Sequence, residues 1–145
     1  MKRFVILLSL FLLLGSCGQE AAYIPQEGDF VFQSVPRSDL TEAIEGVTQS
    51  PYSHVGLIFR KNNAWYVREA IGPVMDTPLQ EWVERGRYKQ AFDAFRLRDQ
   101  LKKYIPELIK ASASFLGRPY DFKYDLDDET IYCSELLYKS MLMAS

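Results

Sequence analysis

The sequence predicts an α+β domain in which a small antiparallel sheet packs on helices. Two strand-length apolar runs, residues 54–60 and 65–70, flank Asn62-Asn63, a dipeptide that tolerates the positive φ of a tight hairpin. Helical periodicity follows at residues 99–116 and 131–142. The chain has 145 residues, of which 48% are hydrophobic, so it has the length of one domain and the apolar content to bury a core.

The first segment reads as an address. Met1-Lys2-Arg3 is a positive n-region, and Phe4 to Leu14 is apolar except for Ser9. That run falls short of the roughly 20 residues a membrane-spanning helix needs and fits a secretory h-region. Leu14-Gly15-Ser16-Cys17 resembles a bacterial lipobox, whose Cys becomes the lipid-bearing first residue; Gly15 is a mild departure. A plain signal peptide cut at a small residue is the alternative. The expected organisation is a lipoprotein signal peptide at 1–16, a lipidated Cys17 with a polar tether at 17–27, and one folded domain at 28–145. The expected location is the bacterial cell envelope, periplasmic or outer surface, with the membrane as a partner through the N-terminal lipid.

Within the domain, Phe30–Gln33 follows Gly28-Asp29 as a short strand. Asp39 with Glu42 makes a capping box, so residues 39–47 read as a helix that Ser50-Pro51 ends. Residues 54–60 are apolar on both parities, the pattern of a buried strand. Trp65–Ala70 returns antiparallel, Gly72-Pro73 punctuates, and Val74-Met75 starts a third strand. Thr77-Pro78-Leu79-Gln80 opens a helix, with Thr as cap and Pro at the first helical position, running to Arg85. Ala91–Leu97 reads as another strand. Pro106 falls inside the 99–116 pattern and kinks or splits it. Asp121–Glu129 is an acidic loop, and Thr130 caps a last helix with Leu136, Leu137, Met141 and Leu142 on its apolar side.

The charges, 17 Lys+Arg against 19 Asp+Glu, are scattered and give a net −2, so nothing supports a nucleic-acid partner. Cysteine arithmetic says more. Two Cys in an exported chain fit one disulfide, Cys17 to Cys133. If Cys17 carries lipid, Cys133 is a lone thiol in an oxidising compartment, and catalysis is one reason for such a thiol. His54 is the sole histidine. Read alone, Cys133 fits a buried core thiol as well as a nucleophile in the first turn of the last helix, where the positive helix end lowers a thiol pKa. Read alone, His54 fits a satisfied core histidine as well as a general base.

The hairpin supplies a third group. If Asn62-Asn63 is a two-residue turn, Lys61 faces Ala64, Gly56 faces Glu69 and His54 faces Ile71. Glu69 then shares a face with His54 and lies diagonally from it, within side-chain reach. Gly56 would leave open space opposite Glu69. The alternative for Glu69 is a solvated strand charge. One His and one free Cys are too few ligands for zinc without carboxylate help, so no metal or cofactor is expected.

Four segments together, Ser53-His54-Val55-Gly56, Arg68-Glu69-Ala70, Gly117-Arg118-Pro119-Tyr120-Asp121 and Tyr132-Cys133-Ser134-Glu135-Leu136, resemble the YiiX/YaeF-type permuted papain-like amidases of the NlpC-type cysteine peptidase superfamily. His54 precedes Cys133 by 79 residues, the circularly permuted order. The resemblance covers about Gly28 to Leu142. It implies a permuted papain-like (NlpC-type) fold with Cys133 as nucleophile, His54 as general base and Glu69 as the orienting third member. It further implies that Tyr120 helps build the oxyanion site, a role a phenol O–H beside the Cys133 N–H can fill. The expected activity is hydrolysis of an amide in a cell-wall peptide or a lipid-linked amide. A permuted-fold acyltransferase or thioesterase, and a lipid- or peptide-binding lipoprotein with a vestigial dyad, are the competing readings. The relatives usually continue past the Cys helix, whereas this sequence ends at Ser145.

Overall fold

The computed structural model describes residues 23–89, 91–125 and 129–145. The predicted signal peptide, Cys17 and the first part of the tether lie outside the described residues, and so does any pairing of Cys17 with Cys133.

Five strands form one antiparallel sheet: β1 (Phe30–Gln33), β2 (His54–Lys61), β3 (Ala64–Ala70), β4 (Val74–Pro78) and β5 (Asp93–Phe95), in the order β4-β3-β2-β1-β5. The helices are α1 (Asp39–Thr48), α2 (Leu79–Arg85), α3 (Ile105–Ala113) and α4 (Cys133–Ala144), with a 3₁₀ segment over Asp99–Tyr104. The fold is thus α+β, as the sequence predicts.

Asn62 and Asn63 both take positive φ, 51° and 62°, the geometry of a two-residue hairpin turn. The register follows: Lys61 opposite Ala64, Arg60 opposite Trp65 and Leu57 opposite Arg68. Strand alternation then sorts the side chains. Phe30, Phe32, Val55 and Leu57 point to one face and pack on Leu108 of α3 and on Cys133 and Leu137 of α4. Val31, Ile58 and Val67 point to the other and pack on Trp82 of α2. A third cluster, Ala70, Val74, Phe115, Ile131 and Leu136, seals the α4 side at the β4 edge. Arg68 ties sheet to helix there: it donates to the Ile109 carbonyl and the Ser112 hydroxyl, and pairs with Asp76.

Several local expectations are corrected. The cap of α1 is Ser38, not Asp39. The Ser38 hydroxyl accepts from the Thr41 N–H at 3.2 Å while Thr41 Oγ1 accepts from the Ser38 N–H at 2.8 Å, so the capping box sits one residue earlier and pairs Ser with Thr. Thr77 does not cap α2; it belongs to β4, opposite Val67, and Pro78 precedes the helix with no side-chain cap. The strand predicted over Ala91–Leu97 shortens to Asp93–Phe95, which pairs with three residues of β1. Pro106 splits the 99–116 pattern into the 3₁₀ segment and α3, where it sits in the first turn and breaks no helical bond. The last helix starts at Cys133 rather than just after Thr130, because Ile131 is drawn into a bridge with Tyr120. On that helix Leu136 and Leu137 are buried, whereas Leu142 faces solvent. Gly56 leaves no open space: a Cβ there would overlap the Val67 side chain.

Candidate active site

The site lies where β2 begins, at the end of the sheet where its two faces meet. His54 is the first residue of β2 and sits on the α2 face, level with Gln33 of β1. Cys133 is the first residue of α4, on the other side. The two meet around the strand end, where the imidazole hydrogen-bonds the thiol and the Val55 and Ser134 backbone N–H groups also point to the sulfur.

Glu69 completes the group. Its Oε2 lies 2.6 Å from His54 Nε2, which leaves Nδ1 as the ring nitrogen for the thiol. Both side chains are buried, Glu69 completely. The diagonal relation expected across the hairpin is the one observed. Two residues the sequence did not point to hold Glu69 in place: Thr77 Oγ1 donates to Oε1 at 2.5 Å, and Arg85 Nη2 donates to Oε2. Thr77 reads locally as a helix cap, and Arg85 sits in a short helix with no motif of its own. Only the β3–β4 ladder and the packing of α2 bring them in. Trp82 lines the same pocket, its ring centroid 6.5 Å from that of His54.

Electrostatics follows from this geometry. Burial works against the imidazolium, but the hydrogen bonds to Cys133 and Glu69 outweigh it and raise the His54 pKa to about 9. Burial likewise disfavours the Cys133 thiolate, and the His54 hydrogen bond and charge override it, holding the thiol below its ordinary value. Burial opposes ionisation of Glu69 as well. Its bonds from His54, Arg85 and Thr77 bring it down to about 2. All three shifts run in the direction of a thiolate beside an imidazolium, backed by a carboxylate.

Tyr120 reaches the thiol from a third direction. Gly117, at φ 82°, turns the chain after α3 and donates to the Val74 carbonyl at 2.9 Å. Tyr120 then bridges Ile131, two residues before Cys133. Burial, and next the charge on Cys133, hold its phenol proton in place, so it is a donor at working pH. Its hydroxyl lies 3.3 Å from that of Tyr124. The structure therefore brings together all four residues singled out for the domain: Cys133, His54, Glu69 and Tyr120. Glu135 lies 3.3 Å from the Tyr132 N–H and shapes the start of α4.

Residues 24–144 match the model of a family described as permuted papain-like amidase enzyme, YaeF/YiiX, C92 family. The YiiX protein of Escherichia coli K12 is 35% identical, over 96% of this chain and 66% of that protein. The crystal structure of metalloprotein yiiX from Escherichia coli O157:H7 superposes with a TM-score of 0.77 at 37% identity, over 84% of this chain and 67% of that one. This chain thus spans about two thirds of the length of these relatives. Among the described residues no three His, Cys, Asp or Glu side chains come together as metal ligands.

Proposed function

The chain belongs to the permuted papain-like amidase family, and from that premise we propose that it is a cell-envelope lipoprotein that hydrolyses amide bonds through a thioester on Cys133. The observation that carries the reading is the buried chain of hydrogen bonds from Cys133 through His54 to Glu69. The Cys133 thiolate attacks the substrate carbonyl carbon. The oxyanion that forms accepts from the Tyr120 hydroxyl and the Cys133 N–H. His54 gives its proton to the amide nitrogen, the C–N bond breaks, and the amine leaves. Water then attacks the thioester while His54 takes a proton from it, and the acid and the thiolate–imidazolium pair are regenerated. Glu69 stays ionised throughout and keeps the ring aligned. Lipid on Cys17 would hold this site near the wall and membrane, where short wall peptides and lipid-linked amides are the substrates at hand.

The test is incubation of the full chain in detergent micelles with a panel of acyl and aminoacyl 4-nitroanilides. The reading expects nitroaniline release and, by mass spectrometry of quenched samples, an acyl adduct on the Cys133 peptide. Both signals must vanish in Cys133→Ala. Release that persists in Cys133→Ala would overturn the reading.

A further inference from the structure

Glu69 is fully buried, yet its Oε2 carries two cationic donors, His54 Nε2 and Arg85 Nη2. Arg85 arrives from α2, on the face of the sheet opposite α4, and its side chain is only 27% exposed. Its approach is built in. The next residue, Gly86, packs on the Gln33 side chain, and a Cβ at that position would lie 2.6 Å from Gln33 Oε1. Gln33 in turn sits level with His54 across the β1–β2 ladder. The end of α2 is therefore pressed against the strand pair that carries the histidine.

With the thiol ionised, Cys133 and Glu69 carry one negative charge each, and His54 and Arg85 one positive charge each. The cluster is neutral only if Arg85 is counted. Among the described residues, the other titratable groups that act on Cys133 are Tyr120, Tyr124 and Tyr132, all from the segment before α4 and all held protonated. β1 contributes the uncharged Gln33 and β4 the uncharged Thr77. We propose that Arg85 is a positioning residue that sets the charge balance of the Cys133–His54–Glu69 cluster through Glu69. This rests on the reading of Cys133 and His54 as a reactive pair.

The consequence has a definite sign. Loss of the Cys133 proton takes the cluster from +1 to neutral with Arg85 present, and from neutral to −1 without it. Loss of the His54 proton takes it from neutral to −1 with Arg85, and from −1 to −2 without it. Arg85 eases both losses in a buried site, so its removal raises both. A residue that merely braced α2 would change the amount of reactive protein and leave both limbs of the pH profile where they were.

The experiment is the iodoacetamide alkylation rate of the Cys133 peptide against pH, read by mass spectrometry on the full chain, for wild type, Arg85→Gln, Arg85→Met and Arg85→Lys. Folding is checked by far-UV circular dichroism. In either neutral variant that folds, both limbs move upward by about one pH unit. Arg85→Lys, whose shorter ammonium sits farther from Glu69, shifts both limbs upward by less, and it decides the matter if neither neutral variant folds. Unmoved limbs, or limbs moving in opposite directions, in the folded variants would overturn the inference. A wild-type Cys133 with the pKa of an ordinary thiol would instead sink the underlying reactive-pair reading, so the two failures are distinguishable.

Discussion

His54 and Glu69 stand on adjacent antiparallel strands with His54 Nε2 2.6 Å from Glu69 Oε2, both side chains closed off from solvent. A histidine and a carboxylate in that relation act as one unit. The carboxylate fixes the ring orientation and favours its charged form, and the ring's second nitrogen is left for the thiol.

The pair leaves a signature in stability. Glu69 titrates at about 2 when folded, against an ordinary value of 4.5. A depressed carboxyl stabilises the fold above its unfolded pKa, and that contribution drains away as pH falls from 4.5 toward 2. His54 and Cys133 shift in opposite senses, so the proton one gains the other gives up, and their contributions to the slope oppose each other. Urea midpoints for wild type and Glu69→Gln should therefore differ most near pH 7, approach each other as pH falls below 4.5, and converge only below about pH 2.

Glu69→Gln keeps the shape of the side chain but removes its charge. The imidazolium loses its buried counter-charge, and turnover should fall by about 10²–10⁴-fold with KM little changed. Steady-state kinetics on any substrate from the nitroanilide panel checks this. Unaltered kcat would show that the carboxylate takes no part.

Tyr120→Phe removes one oxyanion donor and little volume. The expected effect is a drop of about 10²–10³-fold in kcat with Cys133 alkylation still fast, since His54 and the Val55 and Ser134 N–H groups still support the thiolate. A matching loss in alkylation would mean that the phenol serves the thiol rather than the oxyanion.

Gly56→Ala tests the close approach of β2 and β3 beside the pair. The added methyl would meet the Val67 side chain and lie 3.2 Å from the Arg68 carbonyl oxygen. Overpacking of this kind costs about 1–3 kcal/mol, read as a lowered urea midpoint. A midpoint at the wild-type value would show that the strands have slack.

Much of the site is legible in the sequence because it rests on local geometry. Two asparagines fix a two-residue turn, the turn fixes the register, and the register puts Glu69 and His54 on one face. Cys133 in the first turn of the last helix follows from the apolar pattern after it, although the helix begins later than Thr130 suggests. What escapes is what depends on distant strands and faces. Thr77 looks like a cap because its immediate neighbours resemble a helix start, yet its pairing with Val67 sends its hydroxyl to Glu69. Arg85 and Trp82 carry no local signal, because their role exists only once α2 lies across the sheet. The strand at 91–97 is legible but its length is not, since at an edge it is set by the partner and not by the run of apolar residues.

The proposed chemistry stands or falls on a Cys133 thiolate paired with the His54 imidazolium. The most direct measurement is the iodoacetamide alkylation rate of Cys133 against pH, in wild type and in His54→Ala. A paired Cys133 reacts as a thiolate well below the ordinary cysteine pKa of about 8.5, with a midpoint that climbs to or above that value in His54→Ala. A Cys133 that titrates like an ordinary thiol in both proteins, or reacts in neither, would contradict it.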